Sequence, residues 1–180
     1  MEPNTAARAG GGHLIVHRIV QRVGQHPGTD LCKTHIPAIN GLRPGTLVLT
    51  MDGELPVEYL GTGDRIITRD SGVAKLTRIE RQVLAGPMVR ICAGGLGHMR
   101  PGSDMVLPAQ AEVLLRDWRA QSLYGRAQAL ARAGDLVDGE FVVDLGVMPG
   151  PLLSLVFDAP HIVYAGGLEL ASSVAQNAHA

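Results

Sequence analysis

Residues 41–70 read GLRPGTLVLTMDGELPVEYLGTGDRIITRD, with glycine or proline recurring every few positions. Leu47, Val48 and Leu49 form a β-prone run, and Asp52-Gly53 is a strong signal for a tight hairpin. Pro56-Val57-Glu58-Tyr59-Leu60 is expected to run back beside that first strand. Gly61-Thr62-Gly63-Asp64 then turns the chain into a third strand, Arg65-Ile66-Ile67-Thr68. These breakers leave no helix-length amphipathic repeat, so the stretch predicts a series of short paired strands.

The same punctuation continues outward. Ser71-Gly72 is a further turn, and Val73–Leu84 alternates so that Leu76, Ile79 and Val83 would face inward. Ala85-Gly86-Pro87 is expected to turn the chain again before a strand Met88–Cys92. Gly94–Gly102 reads as a loop, followed by strands Asp104–Leu107 and Glu112–Leu115. Leu123–Ala133 is the best helical candidate of this part of the chain, ended by Gly134, with Arg126 and Arg132 on a solvated face. Pro149-Gly150-Pro151 is expected to break the chain before strands Leu152–Phe157 and His161–Ala165. About ten short strands at regular spacing describe a compact all-β fold with at most one or two short helices.

The ends differ from this core. Residues 1–39 read as a tail and linker, partly disordered, and 174–180 as a flexible tail, which leaves one domain at 40–173. Leu14–Val23 is an apolar cluster whose spacing fits a short helix or, given its β-branched content, a strand. His13 and His17 stand four apart, but Leu14 occupies the place where the HExxH zinc motif requires a glutamate. Asn40 is read as a plain turn residue.

Composition narrows function. With 46% hydrophobic and 18% charged residues among 180, the chain can build a core and falls outside the disordered class. A net charge of -1 and 3% aromatics supply neither the basic footprint nor the stacking platforms of nucleic-acid binding. Cys32 and Cys92 form no CxxC pair, and the seven histidines are scattered, so no metal and no cofactor is expected. No apolar run reaches the roughly 18–20 residues of a membrane span, and no cationic start leads into a secretory core. The expectation is a soluble cytoplasmic protein without nucleic-acid or membrane contacts, whose protein partner and oligomeric state the residues do not specify.

Three segments in order resemble the bacterial Hint family of hedgehog/intein-like autoprocessing domains. They are LRPGTLVLTMDGELPVEYLGTGDRIITRDSG, then PMVRICAGGLGHMRPGSDMVL running into EVLLRDWRAQSLYG, and finally LLSLVFDAPHIVYAGGLELASS. The resemblance implies a Hint-like all-β fold and self-directed acyl transfer. In that chemistry a cysteine opening the first strand attacks the preceding peptide carbonyl. A histidine then protonates the departing amide nitrogen.

Carried over position by position, the resemblance places the nucleophile at Gly41, which has no nucleophilic atom. The histidine position falls on Gln110 or Ala111, neither of which shuttles protons. In the closing segment, His161 is displaced by one from the family's Asp-x-His spacing. The chain is therefore expected to be a Hint domain without self-cleavage, serving as a folded or interaction module. The alternative is an active autoprocessing domain with an atypical site built on Cys32, Thr46 or His161.

Overall fold

The computed structural model of the chain describes residues 40–174. The expectations for the N-terminal segment, its histidines and Cys32, and for 175–180, lie outside them. In chain order the strands are β1 (Gly41–Leu42), β2 (Leu47–Thr50), β3 (Gly53–Pro56), β4 (Arg65–Thr68), β5 (Gly72–Lys75), β6 (Arg78–Ile91), β7 (Met105–Pro108) and β8 (Glu112–Leu115). Helix α1 (Trp118–Tyr124) precedes β9 (Ala129–Arg132), β10 (Val142–Phe157), β11 (Ile162–Ala165), β12 (Leu168–Ala171) and β13 (Ser173–Val174). Among the described residues the fold is all-β with one short α-helix, as the turn-dense sequence predicts.

Two sheets share one core. The first runs β1-β10-β6-β7, with β13 parallel to β10, and the second runs β3-β2-β4-β11-β12-β8-β9, with β5 beside β4. Phe157 and Ile91 from the first sheet and Ile66 and Leu168 from the second lie in a single buried cluster. Burying each such side chain is worth about 1.5–3 kcal/mol.

Local turn chemistry places the opening hairpins where expected. β2 and β3 close at Asp52-Gly53, with Gly53 at φ 107°, and β4 and β5 close across Thr68 and Gly72. The returning strand is shorter than expected: it ends at Pro56, and Val57–Tyr59 form a 3-10 turn. Val57 is fully buried and its N–H donates to the Thr46 carbonyl, so core burial bends the chain inward there.

The central departure from the sequence expectation is a long antiparallel ribbon. β6 runs unbroken through Ala85-Gly86-Pro87, and β10 runs unbroken through Pro149-Gly150-Pro151, with Pro87 opposite Val147, Ala85 opposite Pro149 and Val83 opposite Pro151. All three prolines therefore occupy the same alternate class of cross-strand pair. The Pro87 carbonyl accepts from Ala109, away from β10, which identifies that class as the non-hydrogen-bonded one. Proline's missing N–H costs the ribbon no cross-strand bond at such positions. Val83, expected to face inward, is 80% exposed on this ribbon.

The expected helix at Leu123–Ala133 is also displaced. Asp117 caps α1 by accepting from the Arg119 N–H, and Gly125 ends it at φ 64° in the left-handed region. Ala129–Arg132 then pairs with β8, burying Ala129 and Ala131 on one face. Tertiary pairing overrides the helix propensity of an Ala- and Leu-rich run. At the far end, Val174, expected to begin the flexible tail, lies in β13, which pairs with Val156 and Phe157.

Candidate functional site

β1 opens the domain and pairs Gly41 with Ser154 and Leu42 with Leu153. Gly41 is buried, and a β-carbon built on it stands 3.0 Å from the Leu152 β-carbon and 3.5 Å from its Cδ1. That approach is tighter than nine in ten such contacts in proteins. The strand start is thus shaped around a residue without a side chain. Beside it lies a cavity of about 10 Å³, bordered by Asn40, Ala111, Leu155 and Ser172. A space of that size is at the lower limit for a single water molecule.

Asn40, read from sequence as a turn residue, instead ties distant segments together. Its carboxamide oxygen accepts from the Glu112 N–H at 2.9 Å, and its amide nitrogen donates to the Ser172 carbonyl at 3.5 Å. The Asn40 side chain therefore bridges Glu112, at the start of β8, and Ser172, just after β12. No local motif around Asn40 announces these partners, because both are remote in sequence.

The two alternatives for the histidine position separate in space. Ala111 borders the Gly41 cleft. Gln110 lines a different cavity of about 150 Å³, together with Arg43, Met88, Met148 and Leu152. The buried Gln110 Oε1 has no hydrogen-bond partner among the described residues. Residues 108–111 form a turn, closed by the Ala111 N–H donating to the Pro108 carbonyl, and the turn sends the two positions to different cavities.

His161 is placed just before β11. Its main chain exchanges hydrogen bonds with Ser172, the Ser172 hydroxyl accepting from the His161 N–H at 3.0 Å and the Ser172 N–H donating to the His161 carbonyl at 2.8 Å. The imidazole itself is committed elsewhere. Nδ1 lies 2.6 Å from Asp70 Oδ2 and 3.2 Å from the Ser71 hydroxyl, and Phe157 meets the ring edge-on at 5.3 Å. An ionised carboxylate only accepts, so Nδ1 carries the proton and Nε2 is the free ring nitrogen.

Asp70 is built to stay ionised. Burial alone would raise its pKa, but the hydrogen bonds from His161, from the Ile162 N–H and from its own N–H, with the His161 charge, hold it below the ordinary carboxylate value. An aspartate orienting an imidazole is half of a proton-transfer device. Among the described residues, however, no serine, threonine or cysteine is hydrogen-bonded to Nε2.

The remaining candidates do not join the cleft. Thr46 closes the Arg43–Thr46 turn, its N–H donating to the Arg43 carbonyl and its carbonyl accepting from Val57. Cys92 is half-buried, with its thiol 3.7 Å from the Glu140 carbonyl. Gly41, Ala111 and Ser172 thus border one cavity, and Ser172 bonds the main chain of His161, whereas Gln110 lines another cavity and the His161 ring is turned to Asp70. Among the described residues no cluster of three or more His, Cys, Asp or Glu could hold a metal ion, and no helix is long and apolar enough to cross a membrane.

Comparison with known proteins gives a family and a fold. The Hint domain family model matches residues 40–177. The solution structure of a bacterial intein-like domain from Clostridium thermocellum is 14% identical, with a TM-score of 0.52, and the match covers 75% of this chain and 99% of that one. A DnaB intein from Synechocystis sp. PCC 6803 is 13% identical, with a TM-score of 0.51, over 74% of this chain and 98% of the intein. At such identities the likeness is one of fold. No curated protein sequence matches the chain.

Proposed function

The chain belongs to the Hint domain family, and from that premise we propose that it is a Hint module that does not cleave itself and acts as a folded interaction domain. The observation that carries this reading is the contact of Gly41 with Leu152. A thiol at residue 41 would need its β-carbon where Leu152 already stands 3.0 Å away. Self-cleavage requires a nucleophile within reach of the scissile carbonyl and a proton donor for the departing amine. Gly41 and Ala111 supply neither, and the ring of His161 is turned to Asp70. The 10 Å³ cavity leaves little space for an attacking group to enter from outside.

Intact-mass spectrometry of the full chain at neutral pH, with and without dithiothreitol or hydroxylamine, tests this directly. Unchanged mass over a day in all conditions is the expected result. Fragments that accumulate faster with thiol or hydroxylamine would establish thioester chemistry and the autoprocessing alternative. Fragments formed near Cys32 would assign the nucleophile to the segment preceding the domain.

A further inference from the structure

A second polar centre lies away from the Gly41 cleft. Glu169 in β12 is 3% exposed and is approached by three guanidinium groups from three separate segments. Arg69, following β4, places NH1 3.1 Å from Oε1. Arg116, following β8, places Nε 2.8 Å from Oε2, and Arg100, from the loop before β7, places NH1 3.7 Å from the same oxygen. Three positive charges thus share one carboxylate, and among the described residues no other acid lies within ion-pair distance of these arginines.

The hydrogen bonding is as uneven as the charge. Among the described residues, only Arg69 directs an N–H at the carboxylate with hydrogen-bond geometry. Glu169 Oε2 is buried without a hydrogen-bond partner, so the Arg116 N–H, although close, is not aimed at it. Each guanidinium carries five N–H donors. Among the described residues, the side chains of Arg100 and Arg116 donate no hydrogen bond to protein. They are 24% and 35% exposed, partly withdrawn from water yet reachable from it.

The backbone positions these groups before any ligand arrives. The Arg69 N–H donates to Ile162, and Arg100 both donates to Gly97 and accepts from Leu96. Gly167 lets the loop close in, since a β-carbon there would stand 3.3 Å from the Gly102 nitrogen. The Arg119 side chain ties α1 to the same loop by donating to the Gly95 carbonyl.

We propose that Arg69, Arg100 and Arg116 form a binding site for a doubly charged oxyanion of phosphate chemistry. Two uncompensated positive charges match a phosphate dianion, and planar guanidinium forks fit its oxygens in pairs. Glu169 holds the three side chains together while leaving their outward donors free. The shared chemistry is met by free phosphate or by a phosphoryl group carried on a polypeptide.

Titration of the full chain with inorganic phosphate, followed by amide chemical shifts at constant ionic strength, tests the site, with acetate as a singly charged control and a phosphoserine peptide as a second arm. Saturable shifts at Arg100 and Arg116 are expected with phosphate, and much weaker ones with acetate. Arg100→Gln and Arg116→Gln should each weaken phosphate binding at least tenfold, while Arg126→Gln, on the exposed segment after α1, leaves it unchanged. Arg100→Lys keeps the charge and loses the fork, so it should weaken binding severalfold with the spectrum of the folded protein intact, even where the glutamine variant misfolds. A tighter phosphopeptide would identify a protein-borne phosphoryl group, and equal affinity a free anion. Absence of saturable shifts with both probes, or equal weakening by Arg126→Gln, overturns the site.

Discussion

The Leu152 β-carbon stands 3.0 Å from the position that a β-carbon on residue 41 would take, close enough that Leu152 would have to yield by a few tenths of an ångström. Gly41→Ala should therefore destabilise the domain, and Gly41→Cys should do so further, by about 1–3 kcal/mol for overpacking. Urea unfolding measures both. A Gly41→Cys protein as stable as the parent would mean that the strand start accepts a thiol, which removes the main support for an uncleaving domain.

The Asp70–His161 pair carries a pH signature. A carboxyl whose folded-state pKa lies below its ordinary value, 3.8, stabilises the fold above that value. This contribution is lost as the pH falls through the lower folded-state value. Urea midpoints measured between about pH 5 and about pH 2.5 should drop more steeply for the parent than for Asp70→Asn. Parallel profiles would show that the carboxylate contributes nothing specific.

Asn40 can be tested through its bond to the Glu112 N–H. Asn40→Ala leaves that donor and the Ser172 carbonyl without their side-chain partner, at a cost of about 1 kcal/mol. A lowered melting temperature, with amide shifts changing at both Glu112 and Ser172, is the expected result. Changes confined to residues next to Asn40 would return it to the role of a turn residue.

The proline spacing of the ribbon makes a paired prediction. Pro149→Val should alter stability by no more than about 0.5 kcal/mol, because residue 149 occupies a non-hydrogen-bonded pair. Met148→Pro moves proline one position, into the hydrogen-bonding class opposite Gly86, and should cost about 3 kcal/mol. Equal effects of the two would contradict the register.

What could be read in the chain beforehand follows the range of each interaction. Asp52-Gly53 and Ser71-Gly72 specify their hairpins because the required backbone angles are properties of the dipeptides themselves. The ribbon was hidden because Pro87 and Pro149 look like breaks until their cross-strand partners are known. Ala129–Arg132 has helical composition, and only its pairing with Glu112–Leu115 makes it a strand.

The candidate site divides in the same way. Gly41 was found from the Pro-Gly-Thr frame beside it, but Leu152, which fills its side-chain space, is far along the chain. The choice between Gln110 and Ala111 depended on which face each residue presents, and that is decided by the segment's path between β7 and β8. Arg69, Arg100, Arg116 and Glu169 carry no common motif, because the two turns flanking β11 and β12 and the loop before β7 bring them together only in the folded state.

The proline register of β10 also blunts one free edge of the ribbon. Between the bulge at Asp144–Gly146 and the contact with β1, this strand has β6 on one side and, among the described residues, no strand on the other. Its outward donors there belong to residues 147, 149 and 151, and two of the three are proline. An incoming strand would find the Val147 N–H as the single donor on this stretch, so this edge lacks the row of donors that templates edge-to-edge pairing. The exposed, partly apolar ribbon thus carries one long edge that is blunted against strand addition.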